Sequence, residues 1–207
     1  MIHRGGLVSA ALDISGLTYA DYVALERQED VRYEFLDGHV WAMAGGTLRH
    51  SRIKMNVGLA LGNALGNSHC QPYDSDLKVR VPETGLATYP DITVICGQPE
   101  THPEDKNAAT NPTLIVEVLS ETTEKWDRGD KFAHYRTLPS LQHYLLVRQE
   151  KVGLEHFRRQ ADGSWRLTDH VDGTIDLDAV GVHLDVASVY RNLPDPEPPV
   201  SAKSATN

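Results

Sequence analysis

The sequence contains little cysteine and no long apolar run. Two of its 207 residues are cysteines, Cys70 and Cys96, and they do not form a CxxC motif. This usage indicates neither a disulfide framework nor a cysteine zinc site, and it favours a reducing compartment. No apolar run is long enough to span a membrane, and the start of the chain lacks the features of a signal peptide. We therefore expect a cytoplasmic protein with no membrane partner.

Positive charge is also scarce. The chain has 20 Lys and Arg residues against 29 Asp and Glu residues, and its formal net charge is −9. A protein of this charge must bind nucleic acid, if it does so at all, through a local basic patch or a metal ion. The sequence lacks a Walker loop, a GxSxG elbow, a GxGxxG fingerprint, a zinc finger and a helix-turn-helix.

What is present is an ordinary globular composition, with 40% hydrophobic and 24% charged residues. We predict a loose leader over residues 1–16 and one domain over 17–193. The stretch 194–207 is rich in proline and small polar residues, which predicts a disordered tail.

The first half of the chain shows clear local signals. Thr18, with Asp21 three residues later, predicts the start of a short helix. Asp37-Gly38 predicts the turn of a β hairpin. Apolar residues at a spacing of four predict a helix over 48–65 that ends at Gly66.

The second half alternates further strands with one helix. "SDLKVRVPETGLATYPDITVIC" predicts two antiparallel strands joined around "PETG", and "TLIVEVL" predicts the next strand. "WDRGDKFAHYRTLPS" predicts a helix that stops at Pro139, followed by the strand "HYLLVR". A hairpin around Asp162-Gly163 and a short helix in "LDVASVYRNL" complete an α+β, or mixed α/β, pattern.

The apolar strand "LIVEVLS" carries an acidic residue, Glu117. A carboxylate there costs desolvation free energy unless a partner compensates it. A salt bridge to Arg or Lys is one solution. Asp91 begins the preceding strand, however, so two carboxylates would meet in a poorly solvated place, and Mg²⁺ or Mn²⁺ would resolve the conflict. We favour the metal, because a lysine also lies on the next helix.

Several segments occur in an order that is similar to a known family. They are "YEFLDGHVWAMAGGTLRHSRI", "SDLKVRV", "YPDITVIC", "NPTLIVEVLSETTEKWDRGDKFAHYRTLPSLQHYLLV" and "DGSW". Together they resemble the Uma-two-type branch of the PD-(D/E)XK nuclease superfamily, the restriction-endonuclease-like proteins. The resemblance implies a mixed β-sheet flanked by helices, with extra β hairpins at both ends.

The resemblance also implies roles for four residues. Asp91 and Glu117 match the acidic residues of the motif and would bind the metal. The superfamily lysine, expected two residues after the acid, is replaced here by Leu119. Lys131 in "DRGDK" occupies the position that supplies the lysine in this branch, although it could be an ordinary solvated lysine. Glu34 matches an acidic position at the edge of the site, or faces solvent from its strand.

Other candidates come from local charge. The predicted helix over 47–66 has basic residues and no acidic one, so His50, Arg52 and also Lys78 and Arg80 could contact phosphates, or could form a solvated face. His50 could equally cap the helix. Asp76 could lie across the hairpin from Asp91, or could serve the turn.

These observations lead to two hypotheses. The first is an Mg²⁺- or Mn²⁺-dependent endonuclease that hydrolyses phosphodiester bonds in DNA, with RNA as the alternative substrate, and acts as a homodimer. The second is a nucleic-acid-binding or regulatory protein that keeps the nuclease fold without turnover.

Overall fold

The structure is a computed structural model that describes residues 14–29, 31–43 and 45–195. Most of the predicted leader and of the predicted tail therefore lies outside the described residues. Ile14, which belongs to the predicted leader, exchanges two backbone hydrogen bonds with Val40, of 3.1 and 2.8 Å. Within the described part of the chain, no helix combines the length and the apolar character needed to cross a membrane.

The elements follow one another in mixed order. The chain begins with helix α1 (Tyr19–Glu29), the hairpin β1 (Tyr33–Leu36) and β2 (His39–Ala42), and helix α2 (Leu48–Leu65). The next strands are β3 (Cys70–Tyr73), β4 (Lys78–Arg80), β5 (Ala87–Thr88), β6 (Ile92–Cys96), β7 (Thr101–His102), β8 (Asp105–Ala109) and β9 (Leu114–Val118). One continuous helical segment then comprises α3 (Glu124–Trp126), a π-helical turn (Asp127–Lys131) and α4 (Phe132–Tyr135). The remaining elements are β10 (His143–Val147), β11 (Leu154–Arg159), β12 (Trp165–His170), β13 (Thr174–Leu177), a 3₁₀ turn (Asp178–Val180), β14 (Val182–Asp185) and α5 (Val186–Val189).

The described strands form two larger sheets and one hairpin. The first sheet has the order β2-β1-β5-β4-β8-β7, and the second has the order β12-β11-β10-β9-β6-β3. β13 and β14 pair with each other. β9 and β10 are parallel, whereas β6 pairs with β9 in the antiparallel direction. The predicted α+β class with mixed sheets is confirmed.

The local signals of the first half correspond to real elements. The Thr18 backbone N–H donates to Asp21 Oδ2 (3.0 Å), and the Asp21 N–H donates to Thr18 Oγ1 (3.2 Å), which caps α1 at its start. Asp37 and Gly38 have φ values of 49° and 81°, as the predicted tight hairpin turn requires. The predicted helix over 48–65 is confirmed as α2, which ends at Gly66.

The second sheet separates two apolar layers. Its α2-facing side buries Ile53, Val57 and Leu61 of the helix against residues such as Val94 and Val116. The other side buries a layer with α4 that comprises Ile115, Leu119, Tyr135, Leu138, Leu141, Tyr144 and Leu146. Side chains alternate along β9, because Val116 and Val118 face α2 whereas Ile115 and Leu119 face α4. Glu117 shares the face of Ile115 and Leu119.

One predicted strand pairing is wrong. β4 pairs with β5 around the "PETG" turn in the first sheet, while β6 joins the second sheet between β3 and β9. The sequence suggested a single hairpin because the turn signal is local. The assignment of β6 to another sheet depends on strands that are distant in sequence. The short strands β7 and β8, which the sequence analysis did not predict, also depend on their pairing within the first sheet.

The expectation of unpaired cysteines is also wrong. Cys70 on β3 lies opposite Cys96 on β6 in the strand register, and the two form a disulfide. The pairing follows from the alignment of these strands rather than from a Cys spacing motif. Cysteine usage therefore no longer supports a reducing compartment.

Candidate active site

The antiparallel contact of β6 and β9 brings together the two carboxylates that the motif singled out. Ile92 pairs with Val116, so Asp91, just before β6, comes beside Glu117. The Asp91 backbone N–H donates to Glu117 Oε2 (3.4 Å), and the Val118 N–H donates to Asp91 Oδ2 (2.8 Å). These bonds fix both carboxylates at the same end of the neighbouring strands β6 and β9 in the second sheet.

Lys131 reaches this end of the strands from the helical segment that follows β9. Its Nζ lies 2.9 Å from Glu117 Oε1, 3.3 Å from Glu34 Oε1 and 3.4 Å from Asp127 Oδ1. Lys131 is 5% exposed, so this is a buried cluster rather than a solvated helix face. We call Lys131, Glu34, Glu117 and Asp127 the carboxylate–lysine cluster.

The helix is held in place by aromatic packing and by an irregular turn. The Phe132 ring stacks on Tyr144 with centroids 5.4 Å apart and also packs on Phe157 and Trp165. The π-helical turn carries both Lys131 and Asp127. Single π-helical turns inside α-helices occur frequently at functional sites, where they redirect side chains.

Glu34 joins the cluster from the first sheet. Its Oε2 accepts a hydrogen bond from Trp41 Nε1 (3.0 Å), and its Oε1 accepts one from the Thr88 hydroxyl. The hairpin β1–β2 and strand β5 thus orient Glu34 towards Lys131. The cluster therefore connects the two larger sheets.

Burial and charge act in opposite directions on the central pair. Burial raises the pKa of Glu117 to about 8, although the charge of Lys131 opposes this shift. Burial alone would lower the pKa of Lys131, but Glu117, Glu34 and Asp127 outweigh it and raise that pKa well above its usual value. Lys131 is therefore charged at neutral pH. The 2.9 Å contact favours an ionised Glu117 beside it, because a neutral Glu117 would leave the ammonium without its nearest partner.

Additional side chains contact the two central carboxylates. The Tyr135 hydroxyl donates to Glu117 Oε1 (3.0 Å). His50 Nε2 lies 3.2 Å from Asp91 Oδ2, and Lys54 Nζ lies 3.9 Å from Asp91 Oδ1. Both basic residues come from the first two turns of α2, whose N-cap is Thr47.

The donor set fits a hard divalent cation. Glu117 Oε1 is occupied by Lys131 and Tyr135, which leaves Oε2 on the side of Asp91. Asp91 Oδ1 has only the long contact with Lys54 among the described contacts. One oxygen from each of two carboxylates is a usual protein contribution to an Mg²⁺ site, because this ion keeps several waters and binds substrate phosphates.

The charges fit the same ion. Four carboxylates meet at the site, from Asp91 and the three acidic members of the carboxylate–lysine cluster. Two ammonium groups face them, from Lys131 and Lys54. The carboxylates therefore outnumber the ammonium groups by two, which favours a divalent cation at this position.

The structure thus brings together five of the seven predicted site residues: Asp91, Glu117, Lys131, Glu34 and His50. Arg52 is exposed on α2. Lys78 is 4% exposed and forms ion pairs with Glu26 (2.5 Å) and Asp105 (2.6 Å). The structure thus places the Lys78 ammonium between two carboxylates of α1 and β8 rather than on an exposed surface, and its phosphate contact stays a prediction.

Two other predicted positions also differ. Arg80 is 9% exposed, and its guanidinium lies 4.0 Å from the centre of the Tyr19 ring, so it is part of the packing rather than of a phosphate surface. Asp76 pairs with Arg32 (2.5 Å) and is highly exposed. Its proposed position opposite Asp91 fails because β6 does not pair with β4.

The sequence analysis missed two members of the site. Asp127 lies four residues before Lys131, a spacing that allows contact on a helix and could have revealed it. Tyr135 is buried in the apolar layer beside α4. No signal in its local sequence indicates a hydroxyl that reaches Glu117.

The fold has a counterpart among solved structures. The crystal structure of a "putative nuclease belonging to DUF820" from Anabaena variabilis ATCC 29413 superposes with a TM-score of 0.67, covering 84% of this chain and 98% of that one. The sequences are 14% identical, so this likeness establishes the fold alone. It defines the protein as one with a nuclease-like fold.

Sequence comparison identifies the family. The model of the Uma2 family, described as "putative restriction endonuclease", matches residues 19–187. The Synechocystis protein slr1290 is 34% identical over 181 residues, which are 86% of this chain and 93% of the relative. A second Synechocystis protein, sll1609, is 35% identical over 153 residues, which are 74% of this chain and 86% of the relative. The chain belongs to the Uma2 family, and the predicted family resemblance is confirmed.

Proposed function

We propose that this protein is a metal-dependent endonuclease that hydrolyses phosphodiester bonds in DNA. Its family and the fold that it shares with a described nuclease support a nuclease function in general, with nucleic acid as the substrate. The observation that carries the finer proposal is the pair Asp91 and Glu117, which present one available oxygen each beside a surplus of two negative charges. That combination suits Mg²⁺ or Mn²⁺.

The metal would be held by Asp91 Oδ1 and Glu117 Oε2. Such an ion, when bound, polarises a phosphate oxygen and lowers the pKa of a bound water. Other protein groups orient these two carboxylates. The Val118 N–H orients Asp91, while Lys131 and Tyr135 hold the other oxygen of Glu117. Restriction-endonuclease-like proteins generally use a divalent metal ion, and Mg²⁺ or Mn²⁺ would fill that role here.

Lys131 has three tasks in this proposal. It compensates the charge of three buried carboxylates, and it orients Glu117 for the metal. It is also the buried cation nearest to the proposed metal ligands. Negative charge that develops on the phosphate during hydrolysis would therefore be stabilised by the same ammonium.

The first turns of α2 are the proposed approach for the substrate backbone. His50 and Lys54 contact Asp91, and Arg52 is exposed on the same helix. Their positions allow contact with phosphate oxygens next to the metal. The acidic overall charge of the chain makes such a local basic surface necessary.

A cleavage assay tests this function. Supercoiled plasmid is incubated with the wild type in Mg²⁺ or Mn²⁺ and in EDTA, beside an Asp91→Ala variant. We expect metal-dependent nicking that falls by about 100-fold or more in the variant. A wild type that binds DNA and Mn²⁺ without cutting would instead favour a binding or regulatory protein that keeps the fold.

Assembly as a homodimer is part of the proposal. β12 forms an edge of the second sheet, and Leu167 on this strand is 53% exposed. An edge strand with an exposed apolar side chain can pair with a copy of itself. We expect a dimer mass in light scattering at micromolar concentration and a monomer mass for Leu167→Lys. A monomer mass for the wild type would contradict the dimer.

A further inference from the structure

A second concave region lies outside the carboxylate–lysine cluster. It is a cavity of about 670 Å³ between α1, β3, β4 and β8. Its walls include Glu26, Tyr73, Tyr89, Asp105 and Lys106. The volume lies in the range of ordinary small-ligand sites.

The charge of this cavity is unusual for the chain. Among the residues that the structure describes, four cations line it, Arg27, Arg32, Lys78 and Lys106, against the three carboxylates Glu26, Asp76 and Asp105. The surplus is positive, although the whole chain has a net charge of −9. A second cavity, of about 500 Å³, has the opposite surplus, with four glutamates, Glu121, Glu124, Glu150 and Glu155, against Arg128, Arg148 and Lys151.

The cations of the larger cavity differ in availability. Lys78 lies at the buried end and is bound by Glu26 and Asp105. Arg27 and Lys106 are exposed, and the Arg32 side chain is 48% exposed and pairs with Asp76, whose side chain is 80% exposed. The more exposed positive charge therefore lies at the mouth, where an arriving anion can compete with Asp76 for Arg32. The interior offers polar and apolar side chains.

Short contacts connect this mouth to the candidate active site. Lys54 Nζ lies 3.9 Å from Asp91 Oδ1 and donates to Ser75 Oγ (3.1 Å). Arg32 Nη1 donates to the Ser75 carbonyl (2.8 Å). Ser75 therefore lies between a cation at the proposed metal ligand and a cation at the cavity mouth. Successive phosphates of a nucleic acid strand could follow these two cations.

The interior suits a nucleobase. Tyr73 is partly exposed on the edge strand β3, so its ring is available for stacking. Bases stack on aromatic rings whatever their sequence. Asn107 is exposed in the same walls, and its side-chain amide can hydrogen-bond to a base edge.

We infer that this cavity binds one nucleotide of the substrate strand, with its base against Tyr73 and its phosphate on Arg32, next to the phosphate that lies at Asp91. This inference rests on the proposed nuclease function for the identity of the ligand. It adds a substrate-binding site to that function and explains how an acidic protein holds a nucleic acid strand. A base can enter the cavity only when it is not stacked in a duplex, so the ligand is a single-stranded segment.

Binding of short oligonucleotides tests the site. Fluorescence anisotropy is measured in EDTA, so that no cleavage occurs, with labelled single strands of DNA and of RNA of one sequence. We expect Tyr73→Ala to weaken binding about tenfold and Tyr73→Phe to retain it, because only the ring is needed. Arg32→Ala should weaken binding and lower the slope of its salt dependence by about 1. The Arg32 ion pair is exposed, so its loss should leave the fold intact.

Arg136→Ala is the matched control, because Arg136 is exposed just after α4 and does not line the cavity. Photo-cross-linking with 5-bromouracil at each position of the strand should label the cavity walls. The inference is overturned if the wild type does not bind either strand, if the cavity variants bind as well as Arg136→Ala, or if cross-links form elsewhere. Stronger binding of the DNA or of the RNA would identify the substrate sugar.

The same preparation separates this inference from the proposed function. Asp91→Ala should lose Mn²⁺ binding and cleavage, yet it should bind the oligonucleotide in EDTA as the wild type does. If the wild type binds oligonucleotides in the cavity but neither binds metal nor cuts DNA, the nuclease proposal fails and the nucleotide site stands. If it cuts DNA and the cavity variants cut and bind normally, only the nucleotide site fails.

Discussion

The two ends of strands β9 and β10 both bury titratable groups, but they differ in kind. At the end that contains Glu117, three carboxylates surround one lysine. At the opposite end, where Leu114 pairs with His143, the buried groups are imidazoles. We call His143 and His156 the histidine pair.

The histidine pair is completed by other groups of the protein. His143 Nδ1 lies 2.9 Å from His156 Nε2, so one nitrogen donates and the other accepts. His143 Nε2 accepts a hydrogen bond from the Ala179 backbone N–H (3.3 Å) and lies 3.3 Å from Asp178 Oδ1, and Asp178 also pairs with Arg158. Burial lowers the pKa of His143 to about 4 and that of His156 to about 3. Both rings are therefore neutral at pH 7, and the cluster needs no external ion.

The contrast separates a structural polar cluster from a site for a ligand. A buried group with complete hydrogen bonds and no charge stabilises packing. A buried group of charges that do not cancel is costly unless a ligand completes it. The surplus of two negative charges around Asp91 and Glu117 is of the second kind. Burial alone would not have distinguished the two ends.

Removing the single cation from the carboxylate–lysine cluster should have the largest effect. Lys131→Met leaves Glu34, Glu117 and Asp127 without their ammonium partner, which should lower the free energy of unfolding by about 3–5 kcal/mol. Urea denaturation followed by circular dichroism measures this change. Lys125→Met, at an exposed position of the same helical segment, is the control and should change the stability by less than about 0.5 kcal/mol.

Equal stability of the Lys131→Met variant and the wild type would show that the cluster is solvated rather than buried. Excess Mn²⁺ should restore part of the loss, because a divalent cation can compensate the same carboxylates. The absence of any such rescue would weaken the link between the charge surplus and metal binding.

Low pH should lower the free energy of unfolding through the histidine pair, by an amount between the other two predicted effects. The pKa of His156 is about 3 in the folded protein and about 6.5 in an unfolded chain. As pH falls below about 6.5, the unfolded chain binds the extra proton first, so the stability that a neutral His156 provides is complete above that pH. Below that pH, this contribution to the free energy of unfolding is lost at up to about 1.4 kcal/mol per pH unit.

The His156→Phe variant isolates this contribution. The carboxylates are the same in both proteins, so the difference in unfolding free energy between wild type and variant should shrink as the pH falls from 7 to 4. Burial is the main cause of the lowered pKa of His156; the neighbouring His143, His170 and Arg158 lower it further, whereas Asp178 raises it. A difference that stays constant with pH would mean that His156 titrates normally in the folded protein.

Local patterns in the sequence predicted one side of this comparison well. The apolar run around Glu117 indicated a buried strand, and the apolar spacing predicted the bounds of α2. Both inferences depend on residues close together in the chain. The role of Lys131 followed instead from the family resemblance.

The failures concern partners that are distant in sequence. Lys78 looked like a solvated cation, yet its partners Glu26 and Asp105 come from α1 and β8. The bond between Cys70 and Cys96 depends on the register of two strands. The contact of His143 with His156 depends on the same kind of alignment between β10 and β11. Periodicity and spacing do not encode such pairs.

The smallest predicted effect concerns one hydroxyl. The Tyr135 hydroxyl donates to Glu117 Oε1, the oxygen that Lys131 also binds. Tyr135→Phe should lower the free energy of unfolding by about 1–2 kcal/mol, since the lost bond is to a charged group. It should also weaken Mn²⁺ binding in calorimetry, because Glu117 can then rotate away from Asp91.

Tyr144→Phe is the matched control for this change. Tyr144 is as deeply buried as Tyr135, but its hydroxyl donates to the Asp127 backbone carbonyl (2.9 Å) and not to Glu117. Both variants lose one buried hydrogen bond, so both should lose stability, and only Tyr135→Phe should lose affinity for Mn²⁺. Equal Mn²⁺ affinities for the two variants would mean that Lys131 alone orients Glu117, and that the tyrosine serves packing as the histidine pair does.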